Sequence, residues 1–454
     1  MLYKWFDFVL LSRFKRWFTP ADEQTAYQDK RGCPDHIFLM RCLMHYAKSK
    51  RKKLFICTID FDGAFDRVCR STLLKKLALF GAGSIFLLCI ASMYQRTESI
   101  IIQKDNHCIY QLLSGIKQGL PLSPYLFLFY INDVFDYFHT LYSKPTNKLE
   151  KIHLLIHADD ANIMSSTREL LIAKLHTMLK YCDLNKIRLQ LSKCMFIVIN
   201  SSMEDKKKIE LDVGRISATS EVLILGSHLV ETGALKDELK LHFELRFKNC
   251  IKFFNFVRSN RYAPIAVKLK VLRACVTSTL LYNCEAFGHL LPTGLEPLYH
   301  KLIKSALNVR PNTPNELALI ESGMLPLKAL VMKRQIGFYR RFKESLQKNS
   351  AREAVFKVLC EDDNQTKYIK HYIQLDLTYP NPNDIFKEAL TEVKRTIWEK
   401  AELPDKHYRY YIYHELNPQL LPSPFLHWLT ELMPSHVSAW VRTTYQLKRV
   451  SGAE

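Results

Sequence analysis

Thr58-Ile59-Asp60-Phe61-Asp62-Gly63-Ala64-Phe65-Asp66 and Ile156-His157-Ala158-Asp159-Asp160-Ala161 are the two stretches whose reading decides the fold. The first continues Leu54-Phe55-Ile56-Cys57-Thr58-Ile59, a short apolar run with β-branched residues that reads as a buried strand. The second lies between the runs 152–157 and 162–165, read as two strands with Asp159-Asp160 at their turn. Between the two stretches stands Gly115-Ile116-Lys117-Gln118-Gly119-Leu120-Pro121-Leu122-Ser123-Pro124, a loop with glycines on both sides of Gln118. One carboxylate at a strand end, an Asp pair on a later hairpin and this loop suit two-metal nucleotidyl transfer.

The chemistry explains the choice of residues. A primer 3′-hydroxyl attacks an α-phosphate, and two Mg2+ ions about 3.5–4 Å apart activate the attacking oxygen and stabilise the leaving one. Mg2+ takes hard oxygen ligands, usually a few carboxylates plus substrate phosphates. Asp60 and Asp159 fit this role if their strands lie side by side. Asp160 ranks third, because alternation along a strand turns it to the other face unless a tight turn redirects it. Each motif alone is ordinary; their order and strand–turn contexts together are specific.

Composition narrows the partners. The formal charge of +20 exceeds what solubility requires and points to a polyanion, with nucleic acid preferred over an anionic membrane surface. Twelve cysteines without CxxC spacing argue against a zinc ribbon and a disulfide framework, and read as reduced thiols of an intracellular protein, nuclear or cytoplasmic and not secreted. No run reaches the roughly 18 apolar residues of a membrane span. The amphipathic start, Met1 to Phe18, lacks a cleavage site. The run Lys48-Ser49-Lys50-Arg51-Lys52-Lys53 reads as a nuclear import signal, a phosphate-contacting loop or a solvated connector.

Periodicity places helices over 70–79, 84–94, 125–138 and 167–185, a hairpin turned at Asp105-Asn106, and a strand at 195–199. Beyond Thr232-Gly233 the pattern is almost wholly helical, with long helices expected over 236–258 and 263–287.

These residues resemble the reverse transcriptases of non-LTR (LINE-type) retrotransposons, from about Leu2 to Phe342. Glu23 to Ile37 is similar to the family's fingers signature, Asp60 to Val68 to its first palm motif and Gly115 to Pro124 to its second. Ala158-Asp159-Asp160 is like the core of the third motif and Leu191-Ser192-Lys193-Cys194 like the fourth; Ile224-Leu225-Gly226-Ser227 resembles the primer-gripping turn.

The resemblance implies an α+β right-hand polymerase. Partial fingers would occupy 1–53. A palm with an antiparallel sheet would occupy 54–232, with finger elements inserted at about 79–114. A helical thumb would follow over 233–342, and a helical C-terminal region of unassigned role over 343–454. It implies an RNA-directed DNA polymerase that uses dNTPs, an RNA template and a DNA primer, with two Mg2+ ions, Mn2+ being an alternative, and no membrane partner. Asp60, Asp159 and Asp160 would be catalytic and hold the metals, helped by the backbone carbonyl of Phe61. Lys30, Arg31, Phe65, Gln118 and Lys193 would contact the nucleotide, with Phe65 selecting dNTP over NTP. His157 and Gly226 would touch the primer.

Three departures stand out. His157 occupies a position usually held by an aromatic residue, most often Tyr. The chain reads as starting inside the fingers, N-terminally truncated, so an endonuclease is expected from an upstream segment or in trans. No cysteine follows Cys360, where many relatives carry a Cys/His knuckle. The alternatives are a catalytically weak or inactive relic that still binds nucleic acid, and a maturase-like intron-encoded reverse transcriptase.

Overall fold

The computed structural model describes residues 2–103, 106–142, 148–361 and 365–422. The chain divides into two compact units. The first contains the residues up to Ala234 and regains Phe342–Thr366; the second contains Leu235–Arg341 and the described residues from Lys367 on. The region expected as one piece from residue 343 is therefore split, its first stretch belonging with the N-terminal part.

In the first unit, helices α1 (Leu2–Phe14) and α2 (Cys33–Ser49) precede strand β1 (Leu54–Ile59). Helices α3 (Arg70–Leu79) and α4 (Ser84–Gln95) lead to the hairpin of β2 (Glu98–Gln103) and β3 (Asn106–Gln111). Asp105 of the expected turn lies outside the described residues. Next come α5 (Leu122–Ile131), α6 (Asp133–Leu141), β4 (Leu154–His157), β5 (Asp160–Ser165) and α7 (Arg168–Leu184). Strands β6 (Met195–Ile199), β7 (Ile209–Leu211), β8 (Gly214–Ala218), β9 (Glu221–Ile224) and β10 (Ser227–Val230) complete the N-terminal stretch.

Six strands form the main sheet in the order β4-β5-β1-β6-β8-β7. The apolar β1 is central, antiparallel to both β5 and β6. One neighbouring pair, β6 with β8, is parallel, so the sheet is not uniformly antiparallel. Phe55, Cys57 and Ile59 of β1 share a core with α5 and with Leu171, Leu175 and Met178 at helical spacing on α7. Burying such a side chain is worth about 1.5–3 kcal/mol. Phe14 extends this core, with Trp17, Phe18, Phe86 and Phe129 within 5.7 Å of it between ring centroids.

The helix expected over 125–138 is two helices. At Asn132 the backbone tightens: its N–H donates to the Phe129 carbonyl three residues back, and its carbonyl accepts from Phe135. The Asn132 side chain accepts from the Ala21 N–H at 2.8 Å, a contact that local periodicity does not encode.

The second unit is helical: α8 (Leu235–Ser259), α9 (Ile265–Val271), α10 (Ser278–Leu280), α11 (Leu295–Leu307), α12 (Asn315–Ser322) and most of α13 (Leu327–Ser345). Helix α14 (Ala351–Glu361) belongs to the first unit, and α15 (Lys367–Thr378), α16 (Asp384–Ala401) and α17 (Pro404–Leu416) to the second. The long helix expected over 263–287 is interrupted. A π-helical segment, Leu272–Thr277, follows α9, and Asn283 takes a left-handed φ of 54°. The Ser278 and Thr279 hydroxyls donate to the carbonyls of Ala274 and Cys275, a competition with the helical ladder that distorts it. Among the described residues, no helix is long and apolar enough to cross a membrane.

Candidate active site

The site forms at one end of β1. The register ends with Ile59 paired to Ala161, so Asp60 follows the end of β1 and Asp160 opens the neighbouring β5. His157 pairs with Asp160 and closes the β4–β5 hairpin, leaving Ala158 and Asp159 as its two-residue turn. Ala158 has a φ of 59°, the left-handed value that such turns require at their first position. Asp160 therefore starts the strand rather than sharing the turn. Burial of its carboxyl raises its pKa, and the negative charges of Asp159 and Asp60 raise it further.

Beyond β1 the backbone keeps extended pairing. The Gln190 N–H donates to the Asp60 carbonyl at 2.8 Å and the Asp62 N–H to the Arg188 carbonyl at 2.9 Å, around a bridge of Phe61 with Leu189. These two bonds leave the Phe61 carbonyl outside the ladder. Lys193 Nζ lies 3.2 Å from Asp60 Oδ2.

The Gln118 loop docks on the turn after Asp62. The Gly115 N–H donates to the Val68 carbonyl at 2.9 Å and the Ile116 N–H to the Phe65 carbonyl at 3.0 Å. A Cβ on Gly115 would sit 2.7 Å from the Asp66 carbonyl oxygen and 2.9 Å from its Cα, and φ there is +83°, so only glycine fits. Gln118 Nε2 then donates to Asp66 Oδ1 at 3.0 Å. Phe65 stacks on Phe127, centroids 4.8 Å apart and planes 22° apart, and is half-buried.

Two residues that sequence reasoning did not single out hold this loop. Arg70 donates to the carbonyls of Gly115, Tyr94, Leu112 and Ser114. Asp7, buried on α1, accepts from the Leu122 N–H at 2.7 Å and so caps α5. Arg70 lies two residues beyond the first palm motif, close enough for the sequence to have pointed to it; Asp7 lies in no motif.

The remaining expectations divide. Lys30 is exposed and pairs with Glu344 at 3.3 Å. Arg31 is not presented to a substrate. Its side chain is 4% exposed and its guanidinium binds Asp22 and the Ser345 carbonyl. The fork that was expected to meet a triphosphate is here occupied by the Asp22 carboxylate. His157 is half-buried, its Nδ1 2.9 Å from Thr25 Oγ1 and its Nε2 3.5 Å from Cys33 Sγ. Burial lowers its pKa to about 4, so the ring is neutral at pH 7. Gly226, with φ of 71°, makes the turn of the separate β9–β10 hairpin.

Among the described residues, no three His, Cys, Asp or Glu side chains converge tightly enough to hold an ion by themselves. The donor set is nonetheless all hard oxygen: three neighbouring carboxylates and a backbone carbonyl outside the ladder. It fits Mg2+, which completes its shell with water and phosphate oxygens.

Residues 1–229 match the family described as "Reverse transcriptase (RNA-dependent DNA polymerase)". The chain belongs to the reverse transcriptase family. The resemblance to non-LTR retrotransposon enzymes is shown by its relatives. The Pol polyprotein of the type-1 retrotransposable element R2 from Nasonia vitripennis is 28% identical over 212 residues, 45% of this chain and 20% of that protein. Its counterpart from Popillia japonica is 25% identical over 330 residues, 68% of this chain and 44% of that protein. This reverse transcriptase chain thus spans less than half the length of these curated relatives. A solved telomerase from Candida albicans, in complex with a TWJ fragment of telomeric RNA, is similar over 81% of this chain and 57% of that one. Identity is 14% and the TM-score 0.41, a score that leaves the fold to be read from the sheet itself.

Proposed function

We propose that the chain is an RNA-directed DNA polymerase that extends a DNA primer on an RNA template by two-metal nucleotidyl transfer. The observation that carries the reading is the pairing of β1 with β5, which sets Asp60 at the end of one strand and Asp160 at the start of the other, with Asp159 in the adjoining turn and the Gln118 loop docked beside Phe65. In this reading the β1–β5–β6 sheet is the palm, α1 and α2 with the loop between them are finger elements, and α8 opens a helical thumb.

Bound Mg2+ would supply a Lewis acid at the attacking and leaving oxygens. Asp60, Asp159, Asp160 and the Phe61 carbonyl would hold it. Phe65 offers the sugar a flat apolar surface backed by Phe127. Gln118, kept in place by Asp66, faces the incoming nucleotide. Lys193 stands beside Asp60 with an exposed ammonium suited to give a proton to departing pyrophosphate. Lys30 is the candidate for the triphosphate, and His157 and Gly226 for the primer. The formal charge of +20 supports a nucleic-acid partner. The exposed basic residues at 51–53 support work inside the cell, with entry to the nucleus.

The test is extension of a DNA primer on an RNA template with dNTPs and Mg2+. Asp159→Ala is expected to slow extension more than about 100-fold, since ligand loss forfeits several kcal/mol of transition-state stabilisation. Equal extension by wild type and variant overturns the polymerase reading.

A further inference from the structure

We propose that Arg352 and Ser350, on the stretch that returns to the first unit, are positioning residues that set the Asp159 turn through the strap 21–32. The inference rests on the polymerase reading for its consequence, though not for its geometry.

The strap is gripped from both sides. On one side, Asp22 takes a buried cluster of donors. Its Oδ1 accepts from Arg352 Nη1 at 3.0 Å and from Arg31 Nη2 at 2.5 Å, and its Oδ2 accepts from Ser350 Oγ at 2.5 Å. Its carbonyl accepts from Arg352 Nη1 and Arg31 Nη1, each at 2.9 Å. The Arg352 side chain is 0% exposed and also faces Asp35 at 4.0 Å, while the ring of Phe342 lies 5.1 Å from its guanidinium carbon. Asp35 Oδ2 in turn accepts from the Gly32 N–H at the far end of the strap.

On the other side, the strap pairs with β4. The Ile156 N–H donates to the Glu23 carbonyl at 3.0 Å and the Thr25 N–H to the Ile156 carbonyl at 2.8 Å. Between them the buried Gln24 turns its side chain onto the catalytic hairpin. Its Oε1 accepts from the Ala158 N–H and the Ala26 N–H, each at 3.0 Å. Ala158 is the residue with left-handed φ, a conformation costing about 1–2 kcal/mol for a side-chain-bearing residue, and its neighbour is Asp159. The path runs from Arg352 to Asp22, along the strap backbone to Gln24, and through the Gln24 side chain to Ala158, next to Asp159, although Arg352 and Asp22 are 330 residues apart in sequence.

A buried Arg–Asp cluster suits a positioning role. Removing Arg352 leaves Asp22 to Arg31 alone and takes the facing cation from buried Asp35, so the intact geometry is preferred over slipped alternatives. An apolar contact would tolerate sliding; Arg352 Nη1, shared between the Asp22 carbonyl and Oδ1, does not. Displacing a reacting group by about 1 Å costs roughly 100-fold in rate. A strap held this way keeps Asp159 where Asp60 and Asp160 require it.

The test uses the full chain with Arg352→Ala, Arg352→Lys and Ser350→Ala, and reads backbone hydrogen exchange by mass spectrometry. Exchange over 154–161 is expected to rise about tenfold in Arg352→Ala, less in the other two, and to stay at the wild-type rate over 195–199. The Mg2+ concentration for half-maximal primer extension is expected to rise in the same order, with the KM for primer–template unchanged. If Arg352→Ala does not fold, Arg352→Lys and Ser350→Ala decide. Unchanged exchange over 154–161, or an equal rise over 195–199, overturns the proposal. A wild type that extends no primer removes the polymerase reading, and the exchange comparison still decides the positioning role.

Discussion

Lys193 forms an ion pair with Asp60, its Nζ 3.2 Å from Oδ2, so a mobile cation already sits on the carboxylate that a metal ion would use. The pair couples the fourth motif to the first. Lys193→Ala is expected to slow extension about 100-fold, the scale of a lost general acid. The same change frees Asp60 of a competing cation, so the Mg2+ concentration for half-saturation is expected to fall. A rate and a Mg2+ dependence that both match wild type would reduce Lys193 to a solvated side chain.

Asp160 carries a stability cost that depends on pH. Its folded pKa lies above the ordinary carboxylate value of 3.8, so between the two the native state binds more protons than the unfolded one. Stability from this group is therefore highest below 3.8, falls as pH rises through the folded pKa, and stays low above it. Asp160→Asn removes the repulsion from Asp159 and Asp60. Its Tm at pH 7 is expected to exceed that of wild type by about 2 °C, the open surface keeping the effect small. The difference is expected to vanish below pH 3.8. Added Mg2+ should raise the Tm of wild type and not of this variant.

Phe65 stacks on Phe127 and is only half-buried, and the proposed function gives its ring the incoming sugar. Phe65→Ala is expected to raise NTP use relative to dNTP about 10- to 100-fold. The lost stacking alone costs about 0.5–1.5 kcal/mol. Competition between dNTP and NTP in the extension assay measures the first effect and thermal melting the second. A lowered Tm with an unchanged ratio would confine Phe65 to the core.

Gly115→Ala drives a methyl group into the Asp66 backbone at a position where φ is +83°. A cost of about 1–3 kcal/mol is expected. Because the loop must lift off Asp66, the Gln118–Asp66 bond is lost with it, and the KM for dNTP should rise. A variant with wild-type Tm and KM would show that the loop is not set by this contact.

The parts of the molecule legible in sequence are those governed by local chemistry. The strand at Leu54–Ile59, the hairpin around Asp159 and the helical second unit follow from apolar spacing and turn residues. The even alternation that ranked Asp160 third does not show that the turn ends before it, with Asp160 paired to His157 at the start of β5. What stayed hidden depends on partners remote in sequence. Nothing near Arg31 reveals that Asp22 and Ser345 enclose it, and nothing near Asn132 reveals the Ala21 N–H that accompanies the helix break. Arg352 lies in a stretch without any motif, and only folding shows that it reaches the strap.

The return of Phe342–Thr366 to the first unit has a consequence for synthesis. A ribosome making this chain must emit the whole of Leu235–Arg341 before the piece that closes the first unit emerges. At about 5–20 residues per second that is a delay of seconds, during which Asp22 waits without its arginine from α14. Helices α8 to α12 thus emerge while the first unit still lacks its closing stretch, and the second unit in turn waits for α15 to α17. Proteolytic release of the first 234 residues would yield a nascent-like intermediate, and a trans-supplied peptide covering 342–366 is the natural complement to it.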